Sequence, residues 1–376
     1  MQAVQASLTA RSGSAGQIAS LIIPADACWS EATALAQPLT PPERPQVDTQ
    51  LIRDVAESIS ANTMLLVDGD GLSTEAKISA NRIKRKTDCR VALGCFPARI
   101  DGGAGMPSVE RLPYFPEHVL GFLQGVDQLV LAGAQTPASF FAYPDTPGVL
   151  VPEGCEITRL SGNHENTTAA LLAIADHLGV ADSDYDIDQP ATPELPAGGL
   201  TTAGVAAALA NCLPEGAIVC TDSGGGGTAF GPTRGSAPHT WLNLTGGSIG
   251  QGGPVAVGAA VACPDRAVFA LIGDGASMYT NQAFWTQARE GLNVTSIVFN
   301  NSKYGILETE YLRLGVNEVG ERAADLFHLG RPAIDYVQLA ASMGVPGRAV
   351  LDVEDCLSAL QEAAATDGPF VIEARL

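Results

Sequence analysis

The segment RAVFALIGDGASMYTNQAFWTQAREGLNVTSIVFNN, residues 266–301, constrains the fold more than any other part of the chain. It holds two continuous apolar runs, RAVFALI and NVTSIVF, of the β-branched kind expected of strands buried on both faces. Between them, residues from about Ser277 to Leu292 predict a helix with Phe284, Ala288 and Leu292 on one face. Strand, helix, strand in this order is a right-handed crossover with parallel strands. Their carboxyl ends then share one sheet edge, where open α/β sheets bind ligands. Asp274, between Gly273 and Gly275, and Asn301, 27 positions later, become predicted neighbours.

The same alternation runs through the rest of the chain. TMLLVDGDG, CRVALG and DQLVLAGA between residues 48 and 185, and GAIVCTD and PFVIEARL after residue 190, are further strand candidates separated by helix-like stretches. The predicted class is α/β with two doubly wound parallel sheets. A linker, DQPATPELPAGGL (188–200), parts the two regions, and an earlier connector carries Pro38, Pro41, Pro42 and Pro45. Ahead of it, residues 3–10 read as the end of a helix and GQIASLIIPAD (16–26) as a strand, too little to form a core alone.

Charge narrows the function classes. With 41 acidic against 21 basic residues the chain carries −20, which repels nucleic-acid phosphate. The one short basic cluster, Arg82, Lys84, Arg85 and Lys86, reads as a solvated helix face. Eight cysteines show no C-x-x-C spacing and several sit in apolar runs, the pattern of buried reduced thiols in a cytoplasm. No run approaches the roughly 18 apolar residues of a membrane span.

A carboxylate and an amide oxygen at one sheet edge suit a hard, oxygen-loving cation such as Mg²⁺, which takes further oxygens from a bound phosphate. Flanking glycines let backbone come close, and a helix starting near Ala276 would turn N–H groups towards an anion. The pair thus reads as a Mg²⁺–diphosphate site, against the alternative of two ordinary strand-to-loop turns.

These words, with TGGSIGQGGPVAVGAAVACPDR, NNSKYGILETE, RLPYFPEHVL, FFAYPDTPG and IDYVQLAASMGV, resemble the thiamine-diphosphate enzymes, in particular the acetolactate synthase large subunit and benzoylformate decarboxylase group. The resemblance implies a remnant of a pyrimidine-binding domain at 1–35, a middle Rossmann-like domain at 48–185 and a diphosphate-binding domain at 190–376. It implies Mg²⁺ ligands at Asp274, the Asn301 side chain and the Lys303 carbonyl. Gly273, Gly275, Ala276, Ser277, Asn301 and Tyr304 would lie against the cofactor, and Ser223, Gly224 and Gly225 would close round its phosphates. The run of four glycines is equally a flexible surface turn. Ile249 matches the bulky residue that bends the cofactor, or is plain core packing, and Gly247 would offer its carbonyl to the aminopyrimidine.

One element of the family pattern is not found. The glutamate that activates the pyrimidine has no counterpart, and neither Glu31 nor Glu75 sits in matching surroundings. The sequence leaves three explanations open: truncation, which would leave apolar strand edges exposed to association, a partner chain, or loss of catalysis with binding retained. For substrate handling the weak candidates are Tyr143 and His239. The resemblance implies a 2-keto acid decarboxylase or carboligase working as a dimer or tetramer, without nucleic-acid or membrane partners. A non-catalytic thiamine-diphosphate-binding subunit is the alternative. A nicotinamide or flavin oxidoreductase is suggested only by Gly69-x-Gly71, where Thr74 stands at the third glycine position, and FAD is not expected.

Overall fold

The computed structural model describes residues 19–31, 34, 37, 43–162, 164–222 and 224–376. They divide into two compact units: residues up to Cys95 together with Ser108–Asp186, and Phe96–Pro107 together with Ile187–Leu376. The strands among the described residues, in chain order, are β1 (Thr63–Val67), β2 (Arg90–Leu93), β3 (Arg99–Gly102), β4 (Glu110–Arg111), β5 (Gln128–Ala132), β6 (Glu156–Ser161), β7 (Ile218–Thr221), β8 (His239–Leu242), β9 (Val268–Gly273), β10 (Val294–Asn300), β11 (Gly347–Val350) and β12 (Phe370–Arg375).

The first unit holds an all-parallel sheet in the order β4-β2-β1-β5-β6. Its central strands, TMLLV and QLVLA, are buried at every position, because helices cover both faces of such a sheet. Met64, Leu66, Leu129 and Leu131 pack with Val119 and Leu123 in one core. The helices start where the sequence supplies caps: the Asp48 carboxylate accepts from the N–H groups of Gln50 and Leu51, and the Ser73 hydroxyl accepts from that of Ala76.

The second unit builds the order β11-β12-β10-β9-β7-β8-β3. All pairs are parallel except β3 with β8, where Ile100 faces Trp241. Phe96–Pro107 thus contributes an edge strand to this sheet although the sequence reading put all of 48–185 in one domain. Pairing between residues about 140 positions apart leaves no local signal. Val268, Ala270, Ile272, Val294 and Val298 meet Phe284 and Tyr336 in the core.

Three further expectations change. The helix and strand expected at 3–10 and 16–26 lie mostly outside the described residues; of the rest, 19–24 form no strand, and Ile22 is 91% exposed. A strand needs a ladder partner, and none pairs with it among the described residues. The cysteines are all free, but only Cys89, Cys220 and Cys356 are buried. The basic cluster is no simple solvated face: Arg82, 3% exposed, pairs with Asp176 and Asp182, while Lys84 and Arg85 pair with Asp184 and Asp186. An acidic turn from the same unit neutralises them.

Candidate active site

The crossover read from the sequence is present. β9 and β10 run in parallel register, Gly273 opposite Phe299, so Asp274 and Asn301 emerge at the same edge. The helix between them is broken in two, Asp274–Ser277 and Gln282–Arg289, because the intervening turn is used for contacts: the Thr280 hydroxyl donates to the Gly250 carbonyl at 2.5 Å.

Asp274 is 5% exposed. Its Oδ1 accepts from the Gly275 N–H at 2.8 Å, and its Oδ2 is buried with no partner. Burial raises its pKa, against the N–H groups of Gly275, Ser302, Asn301 and Lys303, which favour the anion. The Asn301–Lys303 turn therefore wraps the carboxylate. The carbonyl of Asp274 is fixed from behind by two hydroxyls, Ser277 Oγ at 2.8 Å and Tyr336 Oη at 2.9 Å.

The two asparagines that close β10 have different work. Asn300 donates its amide N–H to Glu373 at 2.7 Å and accepts at Oδ1 from the backbone N–H and the hydroxyl of Ser302, the latter at 3.1 Å. Those bonds hold Ser302 at φ +54°, a left-handed conformation that a serine adopts only when its surroundings enforce it. Asn301 is exposed, its Oδ1 accepting from the Lys303 N–H at 3.1 Å. A carbonyl-type oxygen has a second lone pair for a cation.

The remaining predicted residues fall into place unevenly. Gly275 and Tyr304 are brought together so closely that a Cβ on Gly275 would lie 2.5 Å from the Tyr304 ring. The N–H of Gly275 serves Asp274 rather than an open anion position. Gly224–Gly227 is no loose surface turn: it is a helical turn, and a Cβ on Gly226 would lie 2.7 Å from that of Leu271. Gly224 is exposed, Gly225 partly so, and Ser223 lies outside the described residues. Gly247, at φ +68°, already accepts from the Ile249 N–H at 3.0 Å, and Ile249 is 48% exposed, so it is not core packing.

His239 is removed from the substrate candidates. It is 4% exposed in β8, its Nε2 accepts from the Trp241 indole N–H at 2.8 Å, and Nδ1–H therefore donates to the Ala237 carbonyl at 2.8 Å. Burial lowers its pKa and keeps it neutral. Tyr143 belongs to the first unit, where its carbonyl accepts from the Thr146 N–H in a turn.

Sequence reasoning missed Asp222. It follows β7, is fully buried, and its Oδ2 accepts from the N–H groups of Gly250 at 3.0 Å and Gly252 at 2.9 Å. Burial pushes its pKa up to about 6, against the N–H groups of Gly252, Gly250 and Gly273. Its signal was an Asp directly after the apolar run AIVCT, the same placement as Asp274.

A Mg²⁺–diphosphate group fits these residues on observations of this chain: a buried carboxylate oxygen lacking a partner, an exposed asparagine on the turn that wraps that carboxylate, and an all-oxygen donor set. No group of three or more His, Cys, Asp or Glu side chains gathers among the described residues, so a cation here would draw on one carboxylate, one amide and backbone.

Comparison with known proteins bears on the cofactor. Residues 224–374 match the family model described as the thiamine pyrophosphate enzyme C-terminal TPP-binding domain. Over 368 residues the chain is 42% identical to IlvX of Mycobacterium tuberculosis, whose name assigns it provisionally to the acetolactate synthase large subunits, covering 97% of this chain and 71% of that one. Benzoylformate decarboxylase of Pseudomonas aeruginosa is 26% identical over 71% of this chain and 54% of its own. The solved 4-hydroxybenzoylformate decarboxylase of Rhodococcus jostii shares the fold, with a TM-score of 0.70 at 24% identity, covering 90% of this chain and 66% of that one. The chain thus spans between about half and 71% of these relatives. Sequence and fold together establish that it belongs to the thiamine pyrophosphate enzyme family.

Proposed function

We propose that the chain is the cofactor-holding part of a thiamine-diphosphate- and Mg²⁺-dependent 2-keto acid decarboxylase or carboligase of the acetolactate synthase type. The observation that carries this reading is the unpartnered, buried Oδ2 of Asp274 wrapped by the Asn301–Lys303 turn. Burying a carboxylate oxygen without a partner is costly, and a cation removes the cost. Asp274, Asn301 and the carbonyl of Lys303 would hold the metal. Gly224, Gly225, Gly275, Ala276, Ser277 and Tyr304 would flank the diphosphate, and Ile249 would support the cofactor's bend. When bound, thiamine diphosphate supplies the electron sink that lets a 2-keto acid lose CO₂. The residues contribute orientation: the hydroxyls of Ser277 and Tyr336 fix the backbone of the metal-binding Asp, and Asn300 fixes the turn that carries Asn301.

Titration calorimetry with thiamine diphosphate, with and without Mg²⁺, tests the site. Binding that requires the metal supports it; equal binding without metal refutes the role of Asp274. Turnover of pyruvate and of benzoylformate tests the activity.

A second reading, cofactor binding without turnover, is favoured by Ile249, which stands 48% exposed. In that reading the pyrimidine side of the cofactor is completed by another domain, on a second copy or a different chain. Binding with no turnover of either keto acid on the chain alone supports it; turnover on the chain alone defeats it.

A further inference from the structure

We propose that Asp222 is a positioning residue that holds the Gly247–Gly252 turn, and with it Ile249, at the geometry the cofactor needs. The inference deepens the reading of this edge as a thiamine-diphosphate site and rests on it.

The turn holds itself only in part, through Ile249 N–H on the Gly247 carbonyl at 3.0 Å and Gln251 N–H on the Ser248 carbonyl at 3.3 Å. Two of its residues have left-handed backbones, Gly247 at φ +68° and Gly250 at +92°, as does Gly246, just before it, at +62°. Glycine pays the largest entropy cost of ordering, so such a loop needs outside restraint. Gly252 opens the helix Gly252–Ala262, whose first N–H groups need acceptors, yet the preceding Gln251 makes no side-chain cap. Gln251 is engaged elsewhere, donating to the Asn243 carbonyl at 3.0 Å and accepting from Thr245 at 3.2 Å.

Asp222 supplies what is missing from 30 positions upstream. One carboxylate oxygen accepts from both Gly250 and Gly252, fixing the backbone directly after Ile249. The contact is tight, since a Cβ on Gly252 would lie 3.0 Å from the carboxyl carbon. Asp222 is itself tied to β9, its backbone N–H donating to the Leu271 carbonyl at 3.3 Å. On the other side, Thr280 donates to the Gly250 carbonyl, and a Cβ on Gly250 would lie 2.7 Å from that of Tyr279. The turn is therefore clamped at Gly250 and Gly252, and half-exposed Ile249 is the residue directly before the first clamped position.

The metal-binding side has restraints of its own. Gly273, whose N–H also faces Asp222, is fixed in the β9–β10 ladder opposite Phe299, and Asp274 is held by Ser277 and Tyr336. Loss of the clamp should then weaken binding of the whole cofactor and spare its tail. A helix cap with no positioning role would lower stability and leave the two ligands equally affected.

The test is calorimetric titration of wild type, Asp222→Ala, Asp222→Asn and Thr280→Val with Mg²⁺–thiamine diphosphate and, separately, Mg²⁺–inorganic pyrophosphate. Asp222→Ala is expected to weaken thiamine diphosphate roughly tenfold, as loss of an outer supporting group does, with pyrophosphate within about twofold of wild type. Asp222→Asn keeps an acceptor oxygen and should restore most of the affinity. Thr280→Val, which removes the opposite clamp, should show the same split in smaller measure and carries the test where Asp222→Ala does not fold. Equal loss for both ligands, or no loss in folded Asp222→Ala and Thr280→Val, overturns the proposal. Failure of wild type to bind thiamine diphosphate at all overturns the site reading instead.

Discussion

Two strand ends in this chain spell nearly the same word. β1 runs into Asp68-Gly69-Asp70-Gly71, and β9 runs through Gly273 into Asp274-Gly275. In the first unit no carboxylate oxygen of this word is buried without a partner. Asp68 accepts at Oδ1 from the Gly69 N–H, and Asp70 accepts from the Thr168 N–H at 2.9 Å, at the first turn of the helix Thr167–His177. Gly133 closes the space so fully that a Cβ there would lie 2.4 Å from the Asp68 carbonyl. In the second unit the corresponding carboxylate keeps a buried oxygen without a partner. Motif words at a sheet edge thus do not make a site; what the neighbouring strands and helices leave unsatisfied does.

The sharpest way to break this comparison is a matched pair of substitutions. Asp274→Asn should weaken Mg²⁺-dependent thiamine diphosphate binding by more than about 100-fold, because loss of an outer partner alone costs roughly 10- to 100-fold. The unliganded protein should be no less stable, since an amide can still accept from Gly275 and no longer buries a charge. Asp68→Asn should leave binding unchanged. Calorimetry and urea unfolding of both variants would sink the contrast if Asp68→Asn also lost the cofactor.

A second difference is titratable. Asp222 has its pKa raised from 3.8 to about 6. The folded state then binds the proton more tightly than the unfolded one, so this group's contribution to stability is fully present below pH 4 and is lost as pH rises through about 6. At about 1.4 kcal/mol per pKa unit, the loss is about 3 kcal/mol. Asp222→Asn removes it: the variant should gain on wild type between pH 4.5 and 7, read from urea midpoints. A constant difference across that range would contradict the burial cause.

Next in size is Asn300→Ala, which should weaken Mg²⁺-dependent binding about tenfold. It frees Ser302 from its left-handed conformation and leaves buried Glu373 without its Asn300 bond, though still paired with Arg375. Asn301, the neighbouring ligand candidate, is untouched. If binding were unaffected, the division of work between the two asparagines would be wrong.

Periodicity made part of this legible. Two apolar runs flanking a helical stretch can form only a crossover, and that alone placed Asp274 beside Asn301. Why Asn300 rather than Asn301 is tied down could not be read from periodicity, because it depends on Glu373 in β12, 73 positions later. Asp222 stood in plain sight after AIVCT, yet its partners are backbone N–H groups of glycines, which carry no side-chain signal. His239 was a candidate because it lies between the glycine run and Gly246-Gly247; only the structure shows that Trp241 and Ala237 take both ring nitrogens. β3 was unreadable for the same reason, its partner strand being far away along the chain.

The smallest expected effect tests the first unit alone. Asp70→Ala removes the carboxylate that accepts from Thr168 at the start of the helix Thr167–His177. A lost acceptor at a helix start costs about 1 kcal/mol. The ion pair with Arg44, at 3.7 Å and with both side chains partly exposed, adds little to that. Urea unfolding should therefore move by about 1 kcal/mol while thiamine diphosphate affinity stays put. If affinity fell with stability, the acidic turn of the first unit would be serving the cofactor too, and the contrast between a self-satisfied edge and an open one would have to be redrawn.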